Sequence, residues 1–294
     1  YYSPPPETAN QSVHFIITQV PFGWLIRSLH AWSANLMIAA VFIHLFSTYF
    51  MKAYRKPREL MWVSGVVLLL LVLGFGFTGY LLPWDSTAYF ATQIGTEIPR
   101  SIPLIGEMIV GILRGGEYIA DESLKRLFAL HAVILPLVSI LLLGFHITRN
   151  QLHGSSIPIG IAPNRKGIPF LPNYIYRDMI SWTAGMMLLF ILALVFPVEL
   201  GAKADPFASA PPGIHPEWYF LTLFETLRLL PGSILGLSSE TVVNLAVGLV
   251  VTGILAVPFL DRAAGAEHRN NVFQVIGIIA ILYMTVAISL AYLT

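Results

Sequence analysis

Four histidines set in apolar surroundings are the residues most suited to chemistry in this sequence. His30 and His44 share one apolar stretch, and His131 and His146 share another at a separation that is one position longer. In an α-helix, fourteen positions end within about 40° of a whole number of turns, and fifteen end within about 60°. Each stretch, folded as a helix, therefore presents two imidazoles on roughly one face, ~21–23 Å apart along the axis.

The four imidazoles predict two metal-centred cofactors. If the two helices run parallel, His30 lies level with His131, and His44 lies level with His146. Two facing imidazoles at each of two depths suit two bis-histidine b hemes stacked across a membrane, with the histidines bound to iron. Such iron has no open position, so it transfers electrons rather than binding oxygen. The alternative, that these are hydrogen-bonded packing residues, fits one histidine well but fits four at matched spacing poorly.

Three further residues accompany the histidines. Gly65 and Gly79, on the apolar stretch between the two histidine pairs, have the same separation as His30 and His44. Small residues let a bulky planar group approach a helix backbone, although they serve ordinary helix packing equally well. Arg27 precedes His30 by about one turn, where its guanidinium can pair with a heme propionate.

The elements that must position these residues are membrane helices. The chain is 56% hydrophobic and 11% charged, with a mean hydropathy of +0.72, whereas soluble domains carry about 25% charged residues. A bilayer crossing needs ~20 apolar residues in a helix. Six stretches are long enough, and the sequence therefore predicts an all-α transmembrane bundle with spans near 28–51, 61–82, 128–148, 179–198, 242–260 and 272–292.

Charge and cysteine content narrow the class further. The net charge of +1 gives no case for a nucleic-acid partner, and the absence of cysteine excludes disulfides, thiolate metal sites and covalent heme attachment within this chain. The loops after the first, third and fifth spans hold ten of the 17 basic residues and four of the 16 acidic ones. The positive-inside rule places these loops on the negative (n) side of the membrane.

The other loops then face the positive (p) side. They include the long loops 83–127 and 199–241, and long connections of this kind are often functional. Amphipathic stretches near 103–113 and 216–230 predict a short helix in each of them.

Several short motifs occur together and in a fixed order. In these motifs the chain resembles the cytochrome b subunit of cytochrome bc and b6f-type quinol-oxidising complexes, over essentially its whole length. The motifs are Gly-Trp-Leu-Ile-Arg-Ser-Leu-His at 23–30, Gly-Tyr-Leu-Leu-Pro-Trp at 79–84, His-Gly-Ser-Ser at 153–156, Arg177-Asp178, and Pro-Glu-Trp-Tyr at 216–219.

The sequence also departs from that family. The helix that precedes the first heme-binding helix is missing, and the sequence starts at Tyr1 without a Met or a signal peptide. We therefore expect a four-helix-type core lacking its first helix, in a chain that is part of a longer protein. An additional c-type heme on that missing helix remains undecided. Ser47 replaces an arginine that contacts a propionate in many relatives.

The branch within the family is mixed. The interval between His131 and His146, and Lys-Pro-Arg-Glu-Leu at 56–60, resemble the b6f branch. Fusion of the last three spans to the first part, and the motif at 153–156, resemble the mitochondrial type. The chain therefore resembles a hybrid bacterial form, expected in the inner (cytoplasmic) membrane.

The resemblance implies a p-side quinol-oxidation pocket around residues 216–219. Glu217, set between Pro216 and Trp218, is expected to accept a quinol proton, because burial raises a carboxyl pKa. Tyr219 is expected to donate a hydrogen bond or pack on the quinol ring. Phe90 and Ala91 align with residues that line the same pocket. Without the resemblance, Glu217 is equally well interpreted as a carboxylate at the start of a short helix.

The resemblance also implies a quinone-reduction site on the n side, with His153 and Asp178 as proton donors and Arg177 as an electrostatic helper. The alternative is an ordinary solvated loop. The implied partners are a Rieske iron–sulfur protein and a c-type cytochrome, in a homodimeric, proton-translocating complex. His14, His215 and His268 fall outside the heme spacing, with His215 a weak candidate for proton exit.

These expectations divide the chain into four parts. Residues 1–27 form a p-side segment, 28–150 the heme-binding helices with their p-side loop, 151–178 an n-side loop, and 179–294 a three-helix part with the quinol-oxidation loop. Two other classes remain open: a diheme anchor of a dehydrogenase or nitrate reductase, and a heme-free helical transporter. A diheme anchor lacks the motif at 216–219 and the last three spans, and a transporter lacks b-type absorbance.

Overall fold

The computed structural model describes residues 1–154, 156–157, 167–261 and 271–293, so Ser155 and His268 lie outside the described residues. The described part is mostly helical, with one small antiparallel β-hairpin. Its α-helices are α1 (Pro6–Gln19), α2 (Gly23–Phe50), α3 (Glu59–Tyr80), α4 (Ser86–Arg100), α5 (Gly106–Arg114), α6 (Asp121–Ala129), α7 (Leu135–His153), α8 (Ile175–Val195), α9 (Leu221–Leu229), α10 (Ser239–Leu260) and α11 (Asn271–Leu293). Two π-helical turns (Leu130–Ile134 and Phe170–Tyr174), a 3₁₀ turn (Trp218–Phe220) and strands β1 (Ser233–Ile234) and β2 (Leu237–Ser238) complete it.

Six helices are long and apolar enough to cross a membrane, which confirms the predicted all-α, six-span architecture. They are Gly23–Phe50, Glu59–Tyr80, Asp121–His153, Phe170–Val195, Ser239–Leu260 and Asn271–Leu293. The third begins earlier than the sequence predicted, because α6 extends it with a polar turn. Asp121 and Glu122 lie in the first turn of α6, where acidic side chains complement the helix dipole.

A π-helical turn interrupts the third spanning helix at the first of its two histidines. The Leu135 N–H donates to the carbonyl of Leu130, five residues earlier. Pro136 follows at once and has no N–H, so it cannot donate to the carbonyl four residues before it. The wider turn thus occurs where the regular bonding ladder is already broken, and it contains His131.

Most of the short elements gather at one end of the bundle, which we call the loop end and define as residues 81–120 and 196–238. The two long loops pair there, since Ser86 N donates to Ala202 O (2.9 Å) and Ala204 N donates to Trp84 O (3.0 Å). The carboxylate of Asp85 caps α4 by accepting from Ala88 N at 2.9 Å. A buried cluster holds the loop end together, made of Ala9, Leu81, Trp84, Tyr89, Phe90, Ile119, Leu124, Leu127 and Ala204.

The opposite end of the bundle is joined by a buried ionic cluster. The carboxylate of Asp261, at the end of α10, accepts from the Tyr54 hydroxyl (2.7 Å) and from the Arg55 guanidinium (3.0–3.2 Å). Lys52 Nζ lies 3.7 Å from the same carboxylate. Burial acts to raise the pKa of Asp261, but these hydrogen bonds and cations outweigh it and hold that pKa below its usual range. The cluster links the α2–α3 turn to the C-terminal part of the chain.

Candidate functional site

The structure brings His30 of α2 and His131 of the third spanning helix together near the loop end. Their ring centroids are 6.1 Å apart and their planes are nearly perpendicular, at 81°. Nδ1 of His131 lies 3.1 Å from the carbonyl oxygen of Phe75 and 3.3 Å from the Thr78 hydroxyl. Because a carbonyl oxygen only accepts, Nδ1 of His131 carries the proton. Nε2 is therefore left as the nitrogen that can bind a metal.

The same logic fixes the second histidine of that helix. Nδ1 of His146 lies 2.9 Å from Oγ of Ser64, and the Ser64 hydroxyl donates its single proton to Met61 O at 3.0 Å. Ser64 Oγ must therefore accept from Nδ1–H of His146, which again leaves Nε2 free for a metal. His44 of α2 is the partner that the sequence spacing predicts for His146. Phe75 and Ser64, both on α3, thus orient His131 and His146 of the third spanning helix.

Glycines on α3 make room for these rings. A Cβ atom on Gly79 would lie 2.5 Å from Cε1 of His131, and one on Gly65 would lie 3.1 Å from Cε1 of His146. Side chains at these positions would displace the imidazoles. His131 and His146 each have an Nε2 left for a metal and a glycine beside the ring, an arrangement that fits two b hemes held together with His30 and His44.

Two polar residues near the histidines have other partners in the structure. Arg27 donates to the backbone carbonyls of Val198 and Glu199, the latter at 3.1 Å, and its pairing with a heme propionate stays a prediction. Carbonyls just beyond a helix end have no helical donor, which makes them good acceptors for this guanidinium. The Ser47 hydroxyl donates to His44 O at 2.9 Å.

A cavity of about 180 Å³ lies at the loop end between α3, α4, α9, α10 and the segment that precedes the 3₁₀ turn. Its lining is mainly apolar, with Glu217 among its few polar members. Burial raises the pKa of the Glu217 carboxyl above its usual range. The residues around it are Phe77, Tyr80, Ala91, Thr92, Ile94, Gly95, Ile98, Pro99, Ile214, Pro216, Phe220, Leu223, Phe224 and Asn244.

The predicted pocket residues divide into two groups. Glu217, Pro216 and Ala91 line the cavity, whereas Trp218, Tyr219 and Phe90 support its walls. Trp218 Nε1 donates to Asn35 Oδ1 on α2 at 2.8 Å. Tyr219 fills the space over Gly76, where a Cβ atom would lie 2.5 Å from its hydroxyl oxygen. Phe90 is 7% exposed and belongs to the buried cluster of the loop end.

Sequence reasoning missed three polar lining residues, Tyr80, Thr92 and Asn244. A signal existed for Asn244, since a carboxamide in an otherwise apolar span is costly and usually functional. No sequence feature marked Thr92 or Tyr80 as lining residues, because their position depends on how α3 and α4 pack around the cavity.

At the opposite end, the residues predicted for quinone reduction lie on two helices. His153 is the last residue of α7, and Arg58 donates to its carbonyl (3.3 Å) and to that of Gly154 (3.2 Å). Nε2 of His153 is buried, and no described residue forms a hydrogen bond with it. Arg177 and Asp178 are exposed near the start of α8.

Comparisons with known proteins agree with this geometry. The family model described as Cytochrome b/b6/petB matches residues 1–153, and the one described as Cytochrome b(C-terminal)/b6/petD matches residues 203–294. A cytochrome bc complex cytochrome b subunit of Chlorobaculum thiosulfatiphilum is 50% identical over 289 residues, covering 97% of this chain and 66% of that protein. Cytochrome b of Dictyostelium citrinum is 34% identical, covering 93% of this chain and 69% of that protein.

Cytochrome b6 of Cyanidium caldarium is 44% identical over 159 residues, covering 54% of this chain and 74% of that protein. A solved structure, described as a hyperthermophilic respiratory Complex III, superposes with a TM-score of 0.84 at 29% identity, covering 99% of this chain and 78% of that one. The chain thus spans about two thirds of the length of its full-length cytochrome b relatives. From both family matches and these identities, the chain belongs to the cytochrome b family.

Proposed function

We propose that the chain is the redox subunit of a bc-type quinol oxidoreductase, and that quinol is oxidised in the cavity beside Glu217. The observation that carries the proposal is the position of this carboxyl group. It lines an apolar cavity whose wall includes Tyr80, the residue next to Gly79, and Gly79 in turn contacts His131. A proton acceptor and an electron-transfer site therefore adjoin one another at the end of α3.

Glu217 accepts the proton that a quinol hydroxyl must lose on oxidation. The raised pKa of its carboxyl brings it closer to working pH, where a group both accepts and releases protons efficiently. The apolar walls exclude water from the reacting oxygen. Hemes held by His30 with His131 and by His44 with His146 supply one-electron transfer between the two membrane sides.

The opposite end of the bundle reduces a quinone in this proposal. His153 and Asp178 deliver protons to it, and Arg177 stabilises the negative charge that develops. The buried Nε2 of His153, to which no described residue forms a hydrogen bond, supports this role, because such an atom is available to a ligand. Proton release at the loop end and uptake at the opposite end make the cycle translocate protons.

The name of the Chlorobaculum relative supports assembly into a cytochrome bc complex. The expected partners are a Rieske iron–sulfur protein, which takes the other quinol electron at the loop end, and a c-type cytochrome, in a homodimer within a bacterial cytoplasmic membrane. The given sequence has no cysteine for an iron–sulfur cluster, which supports a partner protein as its source.

The proposal is tested by Glu217→Gln in the purified complex. The amide cannot take up the proton, so kcat/KM for quinol should fall about 10²- to 10⁴-fold, as expected for loss of general base catalysis. In the unsubstituted complex kcat/KM should rise with pH through a pKa above the ordinary value of about 4.3, and this limb should vanish in the variant. Full activity with an unchanged pH profile would refute the role of Glu217.

A further inference from the structure

Asn244 is a polar side chain in an apolar spanning helix, and it lines the proposed quinol cavity. It lies in the second turn of α10, at the loop end, and it is half-buried. It is the lining residue that α10 contributes among those described. Polar side chains inside membrane spans are costly and commonly functional.

The orientation of this carboxamide is fixed by two neighbours at the end of α4. Asn244 Nδ2 lies 2.6 Å from the carbonyl oxygen of Ile98 and 2.7 Å from Oγ of Ser101, both near the end of α4. A carbonyl oxygen only accepts, so the atom facing Ile98 must be the amide nitrogen. Both hydrogens on Nδ2 are used in these two hydrogen bonds, and no described residue donates to Oδ1 of Asn244.

Asn244 therefore offers the cavity an acceptor and no donor. The ionised carboxylate of Glu217, in the same cavity, likewise only accepts. A quinol hydroxyl donates a hydrogen bond, whereas a quinone carbonyl only accepts one. The two forms of the substrate thus differ in their ability to form hydrogen bonds with Asn244 and Glu217.

We propose that Asn244 is a specificity-determining residue that makes the cavity bind reduced quinol in preference to its quinone product. Its oxygen accepts from a quinol hydroxyl, and it loses that partner when the ring is oxidised, which favours product release. The inference rests on the proposed function, because it requires quinol oxidation in this cavity.

The test is Asn244→Leu in the intact purified complex, with steady-state measurement of quinol KM and of the constant for competitive inhibition by the quinone. Loss of one acceptor should raise KM about threefold to tenfold, with a smaller change in kcat. The quinone inhibition constant should stay constant or fall. An equal rise in both constants would show that Asn244 only shapes the cavity, and it would overturn the inference.

Ser101→Ala is the matched control. It removes one acceptor of Nδ2 but keeps Oδ1 of Asn244, so the ratio of the two constants should stay that of the unsubstituted complex. If Ser101→Ala changes the ratio as much as Asn244→Leu, the hydrogen bonds to α4 explain the effect and the inference fails.

Asn244→Ser covers the case in which the leucine variant does not assemble, as judged by its b-heme absorbance. A serine hydroxyl donates as well as accepts, so quinone should inhibit this variant more strongly, and unchanged inhibition would count against the inference.

Glu217→Gln, assayed in parallel, separates this inference from the proposed function. Full activity of Glu217→Gln contradicts the proposed function, whereas its inactivity with an unchanged ratio in the Asn244 variants contradicts only this inference.

Discussion

Asp261 faces two cations and a phenol, and its side chain has no exposed surface. A buried carboxylate is tolerated when it is paired and hydrogen-bonded. Each neighbour depends on it in return: Lys52 is 4% exposed, and Tyr54 is 1% exposed. The burial of each charged or polar group in this cluster therefore depends on the presence of the others.

Asp261→Asn should destabilise the protein by about 3–5 kcal/mol, because it removes the buried anion that the cations of Lys52 and Arg55 contact. Thermal loss of the b-heme spectrum in the purified complex measures this. Asp205→Asn, at an exposed loop position, is the control and should change stability little. Equal thermal stability of the two variants would contradict the structural role of the cluster.

The pH dependence of stability follows from the same group. The folded-state pKa of Asp261 is below its usual value, so its contribution is fully present above the unfolded value of about 3.9. That contribution is lost as the pH falls below this value and through the folded-state pKa. Asp261→Asn should lack this component of acid destabilisation.

Single residues also show where sequence reasoning stops. The spacing of the four histidines predicts two facing pairs, and the rings of His30 and His131 do lie together in the structure. The partners that orient them, Phe75 and Ser64, lie on α3 and are determined by its rotation against α7. Such rotation follows from side-chain packing, which no periodicity in the sequence specifies.

At the scale of elements, the π-helical turn explains an inconsistency in the histidine spacing. The interval between the two histidines of the third span is one position longer than the interval between the two on α2. A turn closed by bonds over five residues takes up about one residue more than an α-helical turn. The interval from His131 to His146 therefore covers nearly the same number of helical turns as the interval from His30 to His44. The two helices can thus present their imidazoles at matching depths.

The glycines of α3 give a graded prediction about the heme sites. Gly79→Ala should remove the heme near the loop end, since its Cβ would meet His131 at 2.5 Å, while Gly65→Ala should perturb the other heme less, since its contact is 3.1 Å. Redox titration of the b-heme absorbance resolves the two. Gly74→Ala is the control, because its nearest neighbour is 3.9 Å away. Equal heme content in all three would contradict the assigned positions.

Elements differed in how well the sequence predicted them. Long apolar spans and the helices at Gly106–Arg114 and Leu221–Leu229 were predicted, because their patterns of apolar residues are strong. Helix α4 was missed, since threonines, Gly95 and Pro99 lower its intrinsic helix propensity. It forms because Asp85 caps it and because its inner face is buried in the loop end.

At the scale of the whole molecule, the charges of the loops predict which end faces which side of the membrane. The chain has no cysteine, so single introduced cysteines label without background. Phe207→Cys at the loop end, 97% exposed in the protein, should react with a membrane-impermeant maleimide in intact cells. Lys56→Cys, exposed at the opposite end, should react only after permeabilisation. The reverse pattern would invert the orientation and exchange the two proposed quinone sites.

The ionic cluster has a consequence for the order in which the protein is made. Arg55 and Asp261 are 206 residues apart in the chain, and four of the described spanning helices lie between them, so Asp261 leaves the ribosome long after Arg55. Until α10 inserts, the turn between α2 and α3 holds cations without the carboxylate that neutralises them in the folded state. The contacts that close this end of the bundle therefore form only after α10 has been synthesised.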